Sequence, residues 1–378
     1  MQYRPFGALD WQASVLGFGC MRLPTRDGEP GAIREEEAAD MIHYAIDHGV
    51  NYLDTAYPYH DGQSEPFLGR ILHGKYREKV KLATKLPCWK VEKKSDFDPL
   101  LNEQLDRLQT DQIDFYLLHA LNEKSWNNMQ SLDVLSWLEK AQGDGRVAHV
   151  GFSFHDSFPV FKKIIDAYQD WDFCQIQYNY MDVNYQAGRK GLRYASKRGL
   201  AVVIMEPIRG GRLVDPPASV QRLWEKAPVK RSPAAWALHW LWDQPDVSLV
   251  LSGMSALSHV KENVAEADRS AVGFLSDEER DLIREVRKAY QSLSLIPCTG
   301  CDYCLPCPEG VNIPRILQIY NNSIMYDKPE YGINGYNNWI PDEKKANRCQ
   351  DCGECEESCP QNIPISDWME KIHQELAR

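Results

Sequence analysis

The chain has no long apolar run. Its longest, such as "LAVVIM" at 200–205, are strand-sized, far short of the roughly 20 apolar residues that a membrane-spanning helix needs. Also missing is a basic region followed by an unbroken apolar core. The stretch "MQYRPFGALDWQASVLGFG" offers neither, so no secretory signal is expected, and the expected location is cytoplasmic. Positive charge is in deficit: 43 Lys and Arg against 54 Asp and Glu give a net charge of −11, which argues against a nucleic-acid surface. Finally, "GFGCMR" at 17–22 lacks a third glycine and no helix pattern follows it directly. It therefore does not read as the dinucleotide fingerprint of an open sheet, and no flavin-binding motif is evident.

What the chain does contain is an alternation. Short β-branched or aliphatic runs begin near residues 14, 50, 80, 113, 147, 173, 200 and 247, with amphipathic stretches between them. In "EEEAADMIHYAIDHG", Ala39, Ile42, His43 and Ile46 share a face at helical spacing, and Gly49 supplies a C-terminal cap. Nearly continuous apolar strands alternating with helices imply a parallel sheet covered by helices. Eight such units suit a closed (β/α)8 barrel, a TIM barrel of the α/β class. The pattern ends near residue 295, which divides the chain into a barrel over 1–295 and a small, mainly helical segment over 296–378. That second segment holds 13 acidic and 7 basic residues, so it is the more acidic part per residue.

The second segment carries eight of the eleven cysteines. Cys349, Cys352, Cys355 and Cys359, followed by Pro360, have the C-x2-C-x2-C-x3-C-P spacing of ferredoxins that hold two [4Fe-4S] clusters. Three thiolates wrap one cluster, and the fourth points to its neighbour. Cys298, Cys301, Cys304 and Cys307 repeat the pattern with the last gap one residue shorter, which makes Cys307 the odd ligand. Each group continues into Asn-Ile-Pro and a helix-like stretch, so the segment reads as two related halves. Disulfides fit poorly with an odd cysteine count and no export signal. Zinc on Cys298, Cys301, Cys349 and Cys352 leaves a third cysteine beyond each pair without a purpose. Two [4Fe-4S] clusters are the expectation, with a single cluster if Cys307 does not ligate.

In a barrel of this kind chemistry sits where strands end. The strand ends supply Asp54 and Tyr59 in "LDTAYPYH", Lys85 in "LATKLP" and His119 in "YLLHAL". The set suits carbonyl reduction. A phenol titrates near 10, and a neighbouring ammonium from Lys85 is expected to lower it, with Asp54 holding Lys85 in place and charged. His119 is placed to polarise the substrate oxygen. Cys20, Cys88 and Cys174 are expected to pack as small apolar groups. Cys88 and Trp89 are candidates to line the substrate pocket, and His60, His73 and His155 are expected in loops or on the surface.

These motifs resemble the aldo-keto reductases over about residues 1–290, and the tail resembles the branch of that family with a ferredoxin-like C-terminal domain. The resemblance implies a nicotinamide cofactor, NADP or NAD, laid across the strand ends. It assigns Ser153 and Gln175 to the carboxamide and Met205 to the face of the nicotinamide. Gly210 and Gly211 fall to the pyrophosphate, Glu262 and Asn263 to the adenine. Two departures stand out. Gly253 and His259 occupy positions where many members hold the 2′-phosphate with cations, and Phe154 replaces a common asparagine. The function implied is reduction of a small aldehyde or ketone, or oxidation of the alcohol. The clusters are then structural, redox-sensing or electron-transferring. Alternatives are an electron-transfer protein coupled to a flavoprotein or ferredoxin partner, and a non-catalytic nicotinamide-binding redox sensor.

Overall fold

The computed structural model describes residues 1–378. Ten strands form: β1 (Tyr3–Pro5), β2 (Gln12–Ser14), β3 (Leu16–Gly19), β4 (Tyr52–Asp54), β5 (Lys81–Leu86), β6 (Ile113–Leu121), β7 (Val147–Phe154), β8 (Phe173–Gln177), β9 (Ala201–Met205) and β10 (Leu249–Ser252). Strands β3 to β10 pair in parallel and close into a barrel, β10 pairing with both β9 and β3. These are the eight runs expected from the sequence. The antiparallel β1–β2 hairpin was not expected, because its strands are too short to show an alternating pattern.

Alternation along each barrel strand sorts the side chains into two cores. Tyr52, Ala83, Phe115, Leu117, Phe173, Ala201, Val203, Leu249 and Leu251 form the barrel interior, with Phe6 and Ala13 from the hairpin segment. Their strand neighbours Leu53, Leu82, Tyr116, Leu118, Cys174, Val202, Ile204 and Val250 face the helices. At the foot of the interior Phe6 lies 4.8 Å from Phe115, 5.7 Å from Phe173 and 5.3 Å from Trp11, ring centre to ring centre. Room for Phe173 is made by Gly151, where a Cβ would come within 2.6 Å of that ring.

The first helix, Glu35–Asp47, buries Ala38, Met41, Ile42, Ala45 and Ile46. The buried stripe is thus rotated from the one read in the sequence. His43 instead donates from Nε2 to the Ile71 carbonyl at 3.1 Å and stacks on Tyr76. The helix ends at Asp47 with His48 as its cap, and Gly49 follows with φ +95°.

By their contacts the residues fall into two compact units, 1–210 with 234–276 and 211–233 with 277–378. The second unit contains helices Ala218–Trp224, Asp277–Ser292, Ile313–Met325, Pro329–Asn338 and Ile365–Leu376. Its core is Ile296, Val311, Ile313, Ile316, Leu317, Ile319, Tyr320, Tyr336, Ile340, Ala346, Ile363, Ile365, Met369, Ile372 and Leu376. Asn321 pins the entry to this core, accepting from the Ile296 N–H at 2.9 Å and donating to its carbonyl at 2.7 Å. No helix is long and apolar enough to cross a membrane.

Candidate active site and cysteine clusters

The alternation that fills the barrel also builds its upper layer. Asp54, Lys85, His119, Gln175 and Met205 each lie two residues beyond an interior side chain, on β4, β5, β6, β8 and β9. Lys85 and Asp54 are buried and paired: Lys85 Nζ donates to Asp54 Oδ1 and to the Thr55 carbonyl, both at 2.7 Å. The ammonium sits 5.0 Å from the centre of the Tyr59 ring. Tyr59 enters on a turn after β4, where His60, Asp61 and Gly62 all take positive φ. His60 fixes that turn. Its Nε2 accepts from the Leu23 N–H at 3.1 Å while Nδ1 donates to the Pro30 carbonyl at 2.7 Å. It lies in a loop, one of the two placements the sequence suggested, and is buried there. His119 completes the group, its ring 6.2 Å from Tyr59 and 5.1 Å from Trp89. Trp89 is half exposed beside the group.

The electrostatics follow from burial. Burial alone would lower the Lys85 ammonium, but Asp54 and Tyr59 outweigh it and leave Lys85 above its ordinary value, hence charged. Burial pushes the Asp54 carboxyl up while Lys85 pulls it back. For Tyr59 burial is again the largest influence. Lys85 lowers the phenol and Asp54 raises it, and the result lies above the ordinary value. The expectation that Lys85 would bring the phenol down is right in the sign of its contribution and wrong in the net, because the sequence does not show the depth of burial. His119 is held well below its ordinary value by burial, then by Lys85 and His155, so it is neutral near pH 7. Cys20 and Cys174 are buried in the same barrel, and Cys88 is pushed up to about 12, so all three are unreactive apolar packing.

Several side chains offer unmet hydrogen-bonding capacity of the kind a carboxamide would satisfy. Gln175 is buried with its Oε1 unpartnered. Ser153 accepts from the Ala120 N–H at 2.7 Å, which leaves its hydroxyl proton to donate. Phe154 is fully buried against Phe152 and Phe161, so it faces the helix layer and makes no substitute for an asparagine. Met205 is half-buried at the end of β9 and Gly210 is exposed with φ +64°. Gly211 lies in the second unit with φ +95°. Glu262 and Asn263 fall in helix Leu257–Asp268, Glu262 exposed and Asn263 buried, donating to Ser252 Oγ at 3.0 Å. One residue escaped the sequence reading. The stem of Arg22 lies 3.4–3.5 Å from where a Cβ on Gly253 would stand, and its Nη2 is 3.0 Å from the same point on Gly210. This exposed cation spans the loops after β10 and β9. Its only signal is its place just after the first glycine-rich strand end.

In the second unit Cys298, Cys301, Cys304 and Cys359 line one cavity, with Leu317, Ile363 and Ile365 behind them. Cys307 is close enough to Cys355 for their charges to interact, as is Cys349. The fourth cysteine of each run is therefore exchanged between halves, and the zinc grouping of Cys298 and Cys301 with Cys349 and Cys352 is not formed. No three His, Cys, Asp or Glu side chains converge as tightly as a single ion requires. Four thiols spread around a cavity suit a bulkier group, and the residues fit an iron-sulfur cluster. The halves share backbone too: Gly300 and Asp302 take positive φ in one loop, and Asp351 and Gly353 do so at the matching positions of the other.

Comparison with known proteins agrees with the barrel fold and with a cysteine-rich second segment. The profile of the Aldo/keto reductase family matches residues 15–288, and that of the 4Fe-4S dicluster domain matches residues 297–363. The L-galactose dehydrogenase of Arabidopsis thaliana is 26% identical over 70% of this chain and 88% of its own. The NADH-specific methylglyoxal reductase of Escherichia coli is 24% identical over 77% of this chain and 100% of its own. Among solved structures, the holo form of aldo-keto reductase AKR11C1 from Bacillus halodurans superposes with a TM-score of 0.62 at 26% identity, covering 76% of this chain and 96% of that one.

Proposed function

Since the chain belongs to the aldo/keto reductase family of NAD(P)-dependent oxidoreductases, we propose that its barrel reduces a small aldehyde or ketone at Asp54, Tyr59, Lys85 and His119. Residues 296–378 hold two [4Fe-4S] clusters in this reading. The observation that carries the first part is the buried Lys85–Asp54 ion pair aimed at Tyr59. Burying two charges is costly and has no packing rationale at the mouth of a barrel unless a third group uses them.

A nicotinamide, when bound, would supply the hydride. This chain's residues handle the oxygen end of the carbonyl. The Tyr59 hydroxyl donates its proton to the oxygen as negative charge develops there, and the Lys85 ammonium stabilises the phenolate left behind. Asp54 keeps Lys85 charged and aimed. His119 is neutral, so it contributes a hydrogen bond rather than a proton. Burial outweighs Lys85 and holds the phenol above its ordinary value, so Tyr59 is present as the acid that carbonyl reduction requires. With a nicotinamide dinucleotide bound, Ser153 and Gln175 would hold the carboxamide, Met205 the nicotinamide, Gly210, Gly211 and Arg22 the pyrophosphate, and Glu262 and Asn263 the adenine. Two points favour NADH: Gly253 and His259 stand where many members place cations, with Arg22 beside Gly253 assigned to the pyrophosphate, and Lys261 lies over the Tyr44 ring at 5.6 Å. The Escherichia coli relative is NADH-specific by name.

One cluster falls to Cys298, Cys301, Cys304 and Cys359, and the other to Cys349, Cys352, Cys355 and Cys307. Each would carry one electron at a time, which does not match a hydride. A second reading has them exchange electrons with a flavoprotein or ferredoxin-type partner. It is favoured by the exposure of Cys301 and Cys352, which gives each set one ligand facing solvent. The test of the main reading is anaerobic carbonyl reduction by wild type and Tyr59→Phe, with cofactor binding followed by fluorescence. Reduction should fall about 10²- to 10⁴-fold while binding persists; unchanged turnover would overturn the assignment.

A further inference from the structure

Lys85 is held at both ends, and the second grip lies outside the four residues above. Its main-chain carbonyl accepts from Gln104 Nε2 at 3.0 Å. Gln104 also donates to Glu65 Oε1 at 2.6 Å, and Glu65 accepts from Thr84 Oγ1 at 2.6 Å on the same oxygen. Its other oxygen, Oε2, takes Arg107 Nη1 at 3.2 Å. That guanidinium lies 4.1 Å from the Tyr57 ring centre, and its Nη1 reaches the Tyr57 carbonyl at 3.5 Å. Tyr57 opens the turn that carries Tyr59.

Glu65 is completely buried in the first turn of helix Ser64–Ile71. Burial pushes its carboxyl up against the pull of Thr84, Gln104 and Arg107. A buried carboxylate is a costly way to hold a helix against a barrel, and an apolar residue of similar size is often neutral or better for stability alone. What an apolar residue cannot do is grip two segments at once. One arm, through Gln104 and Thr84, fixes the strand that carries Lys85. The other, through Arg107, fixes the backbone two residues before Tyr59.

We propose that Glu65 is a positioning residue that sets the alignment of the Tyr59 hydroxyl with the Lys85 ammonium. The inference rests on the reading of Tyr59 and Lys85 given above. Reacting groups misplaced by about 1 Å can lose on the order of 10²-fold in rate, so slack in either arm appears in the chemistry before it appears in binding. The groups that face Tyr59 are Lys85, Asp54, Cys20 and the neutral His119. Of these only Lys85 is a cation, and slack removes its lowering influence.

Two measurements test this on the full-length protein. Glu65→Gln keeps the shape and releases Arg107. It should lower kcat for carbonyl reduction about 10-fold or more with little change in KM or cofactor affinity. The phenol of Tyr59, read as tyrosinate absorbance in the difference between each protein and its Tyr59→Phe counterpart, should titrate higher than in wild type. If Glu65→Gln does not fold, Arg107→Leu at the outer end of the same arm carries the same expectation. A folded variant with a lower Tm but an unmoved phenol titration overturns the proposal and leaves Glu65 structural. The phenol titration needs no turnover, so it still decides the matter if wild type reduces no carbonyl. That last result would instead sink the reading of the active site.

Discussion

The barrel interior and the core of the second unit are closed by different means. The barrel interior is sealed at its foot by its own side chains, with Phe6, Trp11, Tyr52, Phe115 and Phe173 packed ring to ring. The core of the second unit is mostly isoleucine, and six cysteines, Cys298, Cys304, Cys307, Cys349, Cys355 and Cys359, pack along its edge. A core finished by side chains can support costly features above it, such as the buried Lys85–Asp54 pair. A core bordered by thiols is complete only with the group those thiols bind.

The largest effect that would break this contrast concerns iron. Anaerobic removal by a chelator should abolish amide-exchange protection in helices Ile313–Met325 and Ile365–Leu376 while the barrel strands stay protected. Equal loss in both units would show that the barrel does not stand alone. Within the barrel, Lys85→Met leaves Asp54 buried without its partner, and should cost roughly 3–5 kcal/mol in denaturant unfolding besides ending reduction. Phe154→Asn is the next step down. It should not restore a carboxamide contact but destabilise by roughly 3 kcal/mol, by opening a cavity and burying an unpaired amide; tighter cofactor binding in that variant would contradict the packing described here. The smallest effect is one of pH. His119 is held well below 6.5, so the neutral form persists as pH falls through that value, and Tyr59 is held above 10, so the acid form persists as pH rises toward it. The kcat for reduction should therefore be flat between about pH 6.5 and 9. A limb near 6.5 would place a different histidine in the reaction.

How much of this was legible in the sequence depends on whether a feature repeats. The eight strands announce themselves through apolar runs at regular intervals. Asp54, Lys85 and His119 close those runs, so they could be placed at strand ends from the sequence. The cysteine runs have fixed spacings, from which the fourth cysteine was expected to serve the neighbouring cluster; what the spacing left open was the part played by Cys307, one residue early. Features with no periodicity stayed hidden. Phe6 and Trp11 come from a hairpin of three-residue strands. Glu65 and Gln104 look like ordinary helix polar residues, since nothing in a sequence says that a given glutamate is buried. Burial also explains the net direction at Tyr59, where a correct sign for Lys85 was outweighed by a quantity the sequence does not carry.

The central claim is that the barrel delivers hydrogen directly to the carbonyl carbon, with the clusters outside that path. The direct test is turnover with nicotinamide deuterated at the transferred position, followed by mass analysis of the alcohol. Direct transfer puts deuterium on the carbinol carbon and gives a primary isotope effect in single turnover. Solvent hydrogen at that carbon, with cluster reduction on the same timescale, would contradict it.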